Sequence, residues 1–302
     1  MNNVQIFPSR KRIEANDKFT EKLFSMPATT YQKLITDGST FNLIEVEKHK
    51  KFGTILSPFC IKLINGYLDK SPLDQFDRAV LAACISEWAN DNRYTTPNII
   101  YRHITGKTES NDDPTPEQKN AILKSIDKLM CTQITIDMTD VCEKLRYNNG
   151  KPYERVAPLL PSIYDKGILV NGQETTVIYL LIEPPLLNIA RLKEQILTYD
   201  TALLNVPKQH NSVDVIGLKN YVMQRIQEIK LHHLTASITF EDIFDKCRFN
   251  KMNNEQKRRI RKAIIDMLEY LVSKDEIASF ELTKKGNKFY SISFTVNKTH
   301  EQ

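Results

Sequence analysis

An internal repeat is the feature that most constrains how this chain can fold. The run EQKNAILKSI at residues 117–126 aligns without a gap with EQKRRIRKAI at residues 255–264, and six of the ten positions are identical. The matching isoleucines share one apolar helix face, so core packing explains part of the agreement. The shared Glu-Gln-Lys start is not a core requirement. The repeat therefore indicates that one helical unit occurs twice, and 302 residues are enough for two ordinary domains.

The pattern before and after the first copy predicts helix, helix, helix, strand and hairpin. SPLDQFDRAVLAACISEWAND has apolar residues at helical spacing and is capped either by Ser71-Pro72 or by Asp74. PNIIYRHI is a shorter helix with Pro97 in its first turn, and PEQKNAILKSIDKLM is the third helix. QITIDM alternates like a strand. Asn171-Gly172 lies between two β-rich runs, which predicts a hairpin.

The pattern around the second copy predicts a similar order. VDVIGLKNYVMQRIQEIK is helical, ASITF is strand-like, FEDIFDKC is a short helix and NEQKRRIRKAIIDMLEYLVSKDEI is a long one. ASFEL and FYSISF flank the turn KKGNK and complete a hairpin. Helix, strand, helix, helix and hairpin is the order of the winged helix-turn-helix, in which the third helix enters the major groove of DNA.

The fold class predicted from these patterns is α+β, mainly helical, with tandem winged-helix domains. We predict a first winged-helix domain over residues 71–195 and a second over residues 196–302, with a linker near residues 196–212. Residues 1–70 are an N-terminal extension of uncertain order, with one or two strands that dock on the next domain. No function is assigned to this extension.

The positive charge of the chain is concentrated in the second copy. The composition has 42 Lys+Arg and 37 Asp+Glu, a net charge of +5. Residues 246–262 hold eight basic residues and one acid, whereas the remaining residues carry 34 basic and 36 acidic side chains. A concentrated basic patch is typical of a polyanion binder, because each neutralised phosphate releases counterions. The alternative is a solvated helix face.

A helical wheel places the basic residues of the second copy on the exposed side. Ile260 and Ile264 lie on one side, Arg258 and Lys262 lie opposite, and further arginines flank them. Arginine can bind guanine or phosphate through two hydrogen bonds. The predicted DNA-binding residues of this helix, its preceding turn and the lysine-rich hairpin tip are Arg248, Lys251, Lys257, Arg258, Arg259, Arg261, Lys262, Lys284, Lys285 and Lys288.

The first copy lacks the arginine cluster. Asn120, Ala121 and Leu123 stand where the second copy has arginines. We therefore expect the second domain to bind double-stranded DNA and the first to make mainly protein contacts. The alternative is that the first domain contacts DNA more weakly through three residues, Lys119, Lys124 and Arg102.

No catalytic, metal or cofactor motif is recognisable. Thr105-Gly106-Lys107-Thr108 resembles the end of a phosphate-binding loop, but Tyr101 stands where that motif needs a glycine. The sequence has no HxH or CxxC spacing, and its five cysteines are scattered. We therefore expect a protein that is not an enzyme and that uses neither a metal nor a cofactor.

Targeting signals are not evident in the sequence. The longest strongly apolar run, Ala79 to Ile85, is too short to cross a bilayer. The start MNNVQIFPSRKR has no apolar stretch after its charges and does not look like a secretory signal. We expect a cytoplasmic protein without membrane partners.

These segments resemble a known family, the two-winged-helix replication initiators of plasmids and related mobile elements. SPLDQFDRAVLAACISEW, ITFEDIFDKC, KRRIRKAIIDMLEYL and KKGNKFYSISF are similar to initiators from low-GC Gram-positive bacteria, and the resemblance covers roughly residues 71 to 296. It lies in domain order and pattern more than in an invariant motif. The resemblance implies binding to origin repeats called iterons, local strand opening and recruitment of host helicase or initiator proteins. It also implies that the first domain mediates homodimerisation.

Two other functions remain open at this point. The same fold occurs in dimeric winged-helix transcriptional regulators. A helicase-loading adaptor, in which the basic helix meets an acidic protein, is of a different class. Salt dependence of DNA binding and the presence of tandem repeats beside the gene discriminate among the three.

Overall fold

The protein is described here from a computed structural model. The structure describes residues 11–16, 18–26, 29, 41–42, 59–63, 72–107, 113–137, 154–168, 174–192, 195–232, 237–286 and 288–296. The described part mixes helices with antiparallel sheets, so the predicted α+β class is confirmed at this level.

The helices are α1 (Lys18–Phe24), α2 (Gln75–Ala89), α3 (Pro97–Thr105), α4 (Pro116–Cys131), α5 (Pro185–Leu192), α6 (Val213–His232), α7 (Phe240–Lys246) and α8 (Asn254–Ser273). The strands are β1 (Lys11–Ala15), β2 (Phe41–Asn42), β3 (Phe59–Leu63), β4 (Tyr94–Thr95), β5 (Thr132–Asp137), β6 (Glu154–Pro158), β7 (Ser162–Ile168), β8 (Glu174–Leu180), β9 (Ile196–Asp200), β10 (Ser237–Thr239), β11 (Ile277–Lys285) and β12 (Lys288–Val296). Two short 3₁₀ turns span Thr201–Leu204 and Phe249–Lys251.

Two parts of the chain share one order of elements, except that β5 and β6 come between the third helix and the hairpin of the first part. The first three-helix unit comprises α2, β4, α3, α4 and the hairpin β7–β8, and the second comprises α6, β10, α7, α8 and the hairpin β11–β12. In each unit the short strand pairs antiparallel with the second strand of the hairpin, giving the sheet orders β4-β8-β7 and β10-β12-β11. The inferred repeat thus extends beyond the ten aligned residues to the order and pairing of the elements.

One predicted strand belongs to a different sheet from the one its position in the chain suggests. The described part of QITIDM, residues 133–137, lies in β5, but β5 pairs with β3 and β6 in the four-stranded sheet β2-β3-β5-β6. The strand that corresponds to β10 is β4, which lies directly before the helix that begins at Pro97. Two residues are too few for an alternating pattern, which is why the sequence did not reveal β4.

The described strands of the N-terminal extension dock on later parts of the chain. β1 pairs antiparallel with β9, from Lys11 opposite Asp200 to Ala15 opposite Ile196. β3 pairs with β5, from Phe59 opposite Ile136 to Leu63 opposite Thr132. Because β9 lies just before the second three-helix unit, β1 anchors the extension beside the junction between the units.

Capping residues fix the starts of the principal helices. Asp74 caps α2, and its side chain accepts hydrogen bonds from the backbone N–H groups of Phe76 and Asp77. Thr96 caps α3, with Pro97 at the first helical position as predicted. Each third helix begins with a capping box, formed by one cap residue and the glutamine three positions later.

The buried side chains form two clusters. The first includes Leu73, Ile100 and Ile126, and the second includes Ile226, Ile264 and Phe294. α2 and α6 pack against each other where the clusters meet, and Ile216 of α6 belongs to the first cluster. Within the described residues, no helix combines the length and apolarity that crossing a bilayer requires.

Candidate nucleic-acid interface

Helix α8 buries one side and exposes the other as the helical wheel predicted. Its buried side chains are Ile260, Ile264, Met267, Leu268 and Leu271. Arg258, Arg259 and Lys262 are exposed on the remaining surface, within the first half of the helix. We call these three residues the basic helix face. Its position follows from the apolar stripe, because packing that stripe into the second cluster turns the opposite side outward.

Two members of the basic helix face form ion pairs within the helix. Arg259 Nη2 lies 2.6 Å from Glu255 Oε1, and Lys262 Nζ lies 3.1 Å from Asp266 Oδ2, both at i,i+4 spacing. The side chains of Arg259 and Lys262 are each 75% exposed. Exposed pairs of this kind contribute at most about 1 kcal/mol. A phosphate or a guanine can therefore displace Glu255 or Asp266 at little cost.

Arg258 lies at the centre of the exposed side. Among the described residues, no carboxylate lies within ion-pair distance of its guanidinium, and the side chain is exposed. This arginine can approach a ligand without first breaking an internal salt bridge. Its position one turn from the helix N-terminus suits a contact with a base edge or a phosphate.

Lys257 and Arg261 lie on the side of α8 that faces two phenylalanine rings of α7. Arg261 Cζ lies 5.0 Å from the ring centre of Phe244 and 5.9 Å from that of Phe240, and Lys257 Nζ lies 5.8 Å from Phe244. Lys257 also donates a hydrogen bond of 3.0 Å to the carbonyl oxygen of Asn250. These cation–π contacts orient both cations and keep them half-buried. They flank the basic helix face and do not lie at its centre.

The tip of the hairpin β11–β12 carries the three predicted lysines. Lys284 is exposed, and its Nζ lies 5.1 Å from the ring centre of Phe289. Lys285 and Lys288 are paired opposite each other in the ladder on either side of the turn. Gly286 has a φ of +63°, which permits the tight reversal. The structure thus places the backbone of all three lysines at one end of the second unit.

The two predicted residues before α8 have different environments. Lys251, in the 3₁₀ turn before the helix, is exposed. Arg248 points away from solvent towards the first unit, where its guanidinium donates hydrogen bonds to the carbonyl oxygens of Pro72, Met26 and Leu73. An arginine engaged by three carbonyls cannot also contact DNA without breaking them. We therefore leave Arg248 out of the interface.

The corresponding surface of the first unit is less basic. Lys124 is exposed on α4, whereas Arg102 is only 16% exposed and lies 2.9 Å from Asp113 Oδ1. Lys119 lines an open cleft of about 430 Å³ between α4, the start of α3 and the hairpin β7–β8. Lys166, Glu174 and several threonines also line it. The three lysine and arginine candidates of this unit are thus not gathered on one helix face.

Sequence reasoning missed two sets of partners in this region. The i,i+4 spacing of Glu255 with Arg259 and of Lys262 with Asp266 was a local signal that predicts both ion pairs. The rings of Phe240 and Phe244 had no such signal, because they approach α8 only after α7 packs across it. Within the described residues, no group of three metal-binding side chains is assembled.

Comparisons with known proteins give no family. No protein-family model matches the chain, and no curated protein matches it. Among solved structures, the crystal structure of domain 2 and domain 3 of RctB superposes with a TM-score of 0.40 at 13% sequence identity. That alignment covers 80% of this chain and 86% of the RctB chain. At this TM-score the likeness is too low to establish a shared fold.

Proposed function

We propose that the chain is a tandem winged-helix protein that binds double-stranded DNA through its second unit and initiates replication at repeats of a plasmid or mobile-element origin. In this proposal the chain acts by binding DNA and recruiting host replication proteins, without a catalytic step or a cofactor. The DNA-binding part is supported by the geometry of α8. The initiator part is supported by the family resemblance of the sequence.

The winged-helix assignment is supported by connectivity. Both units have the order helix, short strand, helix, helix and hairpin, and in both the short strand adds to the hairpin as a third strand. In winged-helix proteins the third helix enters the major groove while the hairpin reaches the backbone or a flanking groove. α8 and the β11–β12 hairpin correspond to these two elements.

The observation that carries the DNA-binding proposal is the basic helix face. Arg258, Arg259 and Lys262 are exposed on the third helix of the second unit, opposite its buried stripe. Lys257 and Arg261 flank them, and lysines stand at the hairpin tip. In this proposal the arginines contact base edges or phosphates, and the lysines contact the phosphate backbone.

We propose a division of labour between the two units. The third helix of the first unit has Asn120, Ala121 and Leu123 at the positions of the second unit's arginines. Arg102 is already paired with Asp113. The first unit is therefore proposed to make mainly protein contacts, including those of a homodimer.

The test of DNA binding is the double variant Arg258→Ala/Arg259→Ala. We expect its affinity for the cognate repeat to fall by at least about tenfold in a gel-shift titration, since one bidentate contact to guanine contributes about 1–3 kcal/mol. The wild-type log–log salt slope should be about −4 to −5 for about five phosphate contacts, and the variant should have a shallower slope.

The matched control removes two exposed arginines elsewhere. Arg93→Ala/Arg191→Ala deletes the same charge from side chains that, like Arg259, pair with nearby carboxylates. Its affinity should stay within about twofold of wild type, apart from a small effect of net charge. Equal affinity of wild type and the Arg258/Arg259 variant would show that α8 does not bind DNA.

A replication assay separates the initiator from the two alternatives. A plasmid that carries the gene with upstream tandem repeats should replicate autonomously if the chain is an initiator. A transcriptional regulator would bind the repeats without supporting replication. An adaptor that uses the basic helix to bind an acidic protein would bind duplex DNA weakly and without the steep salt slope.

A further inference from the structure

The turn between α7 and α8 docks on the first unit. Arg248 has φ +60° and ψ 33°, in the left-handed region, although it is not a glycine. This conformation is strained for a residue that carries a side chain, and it persists only where the surroundings impose it. The turn is therefore held by contacts beyond its own backbone.

The guanidinium of Arg248 supplies those contacts. Nη1 donates to the carbonyl oxygen of Pro72 at 3.0 Å, and Nη2 donates to that of Met26 at 2.9 Å and to that of Leu73. Pro72 and Leu73 directly precede the cap of α2, and Met26 follows α1. One planar side chain thus joins the turn before α8 to two segments of the N-terminal part. A lysine cannot reproduce this, because its ammonium is a single point donor.

Neighbouring residues add further contacts between the end of α7 and the N-terminal part of the chain. Lys246 Nζ, at the end of α7, lies 3.2 Å from Glu21 Oε1 of α1. The side-chain amide of Gln75 donates a long hydrogen bond of 3.5 Å to the carbonyl oxygen of Lys246. All these contacts connect the C-terminal end of α7 and its turn to α1 and the start of α2.

A second set of contacts between the units involves the middle of α8. The side chain of Gln209 donates to the carbonyl oxygen of Ala263 in α8 at 2.6 Å. The side chain of Gln118 in α4 donates to the carbonyl oxygen of Asn211 at 2.6 Å. The segment between Thr201 and Asn211 thus bridges the third helices of the two units. α8 is held at its start by Arg248 and near its middle by this segment.

We infer that Arg248 is a positioning residue, which locks α8 and its basic helix face in one placement relative to α4 of the first unit. The lock is a property of the two units and needs no ligand. The consequence for DNA binding rests on the proposed function. If α8 binds DNA, a fixed α8 holds that DNA in one orientation relative to the first unit and its partners.

The test measures the distance between the units in the absence of DNA. Spin labels are attached at K124C on α4 and E269C on α8, both exposed positions, in the full chain with Cys60, Cys131 and Cys142 replaced by serine. Double electron–electron resonance should give one narrow distance distribution for the parent chain. Arg248→Ala should broaden or shift that distribution while the far-ultraviolet circular dichroism stays unchanged. Arg248→Lys should give an intermediate width.

A control variant in the same helix tests whether the effect is specific to Arg248. Arg259→Ala removes an arginine of the same helix that does not touch the first unit, and it should leave the distribution as in the parent. A lowered unfolding midpoint with an unchanged distance distribution in Arg248→Ala would mean that Arg248 only stabilises the fold, and the inference would be wrong. If Arg248→Ala does not fold, Arg248→Lys decides, since an unchanged distribution there has the same meaning. If the variants at Arg258 and Arg259 show that α8 does not bind DNA, the distances between the units are still expected to be the same. The two proposals can therefore fail independently.

Discussion

At the scale of single residues, Lys219 is a charged group that is buried and therefore desolvated. Its side chain in α6 is 1% exposed, and its Nζ donates to the carbonyl oxygen of Leu204 and to Asn211 Oδ1, each at 2.8 Å. Burial, together with the nearby charge of Lys107, lowers the pKa of Lys219 from 10.5 to about 7. The ammonium thus secures the segment between the two units while being desolvated.

This pKa predicts a pH dependence of stability. Between pH about 7 and 10.5 the unfolded chain holds this proton more tightly than the folded chain does, so the contribution of Lys219 to the free energy of unfolding rises with pH. Lys219→Met has no proton to lose. From pH about 7 to 8.5, urea unfolding should show wild type gaining up to about 2 kcal/mol relative to the variant. A difference that stays constant over this range would mean that the pKa is not lowered.

Two basic residues close together in the sequence show how far local reasoning reaches. Arg258 was predicted to be exposed from the apolar stripe of its own helix, and it is. Arg248 was grouped with it by charge and proximity, yet it reaches Pro72 and Met26, more than 170 residues earlier. Helix periodicity carries information about the first residue and none about the second.

At the scale of elements, the repeated third helices share their starting device. In α4 the cap Thr115 and Gln118 exchange hydrogen bonds, and in α8 the cap Asn253 and Gln256 do the same. Gln118 and Gln256 are identical positions of the ten-residue repeat. The shared glutamine of the Glu-Gln-Lys start thus has a local chemical reason, because it accepts a hydrogen bond from the backbone N–H of its cap residue.

The cap of α8 predicts a measurable loss of stability. Asn253→Ala removes the acceptor for the backbone N–H of Gln256, and the free energy of unfolding should fall by about 1 kcal/mol. Asn254→Ala, one position later, does not touch the capping box and should change stability by less than about 0.5 kcal/mol. Thermal unfolding of the two variants provides the comparison. Equal unfolding midpoints would show that the box does not stabilise α8.

At the scale of the whole molecule, the two units approach within backbone contact. Gly106 ends α3 with a φ of +72°, and a Cβ at this position would lie 2.3 Å from the carbonyl oxygen of Thr201 and 2.7 Å from the backbone nitrogen of Asn205. These atoms belong to the segment that leads into α6. The glycine is therefore needed both for its dihedral angles and for the close packing of the junction.

A pair of glycine variants separates these two requirements. Gly286 also has a positive φ, +63°, but a Cβ there would meet no atom within 4 Å. Gly286→Ala should cost only the left-handed conformation, about 1–2 kcal/mol. Gly106→Ala should cost clearly more, because the backbone of the junction must also move. Chemical denaturation measures the free energy of unfolding of both variants. Equal decreases would mean that the backbone of the junction accommodates the added Cβ without loss of stability.

From the sequence alone we predicted the helices α2–α4 and α6–α8, the strand β8, the hairpin β11–β12 and the exposure of the basic helix face, but not α1, α5 or most of β7. Each follows from interactions within a few residues of the chain: apolar spacing, caps at i to i+3 and turn residues. Three other features were not predictable from the sequence: β5 joins a separate sheet, Arg248 and Lys219 make hydrogen bonds at the junction, and Phe240 and Phe244 lie beside Arg261. Those contacts join residues far apart in the chain, and they exist only once the packing of α2 against α6 and of α7 against α8 has brought them together.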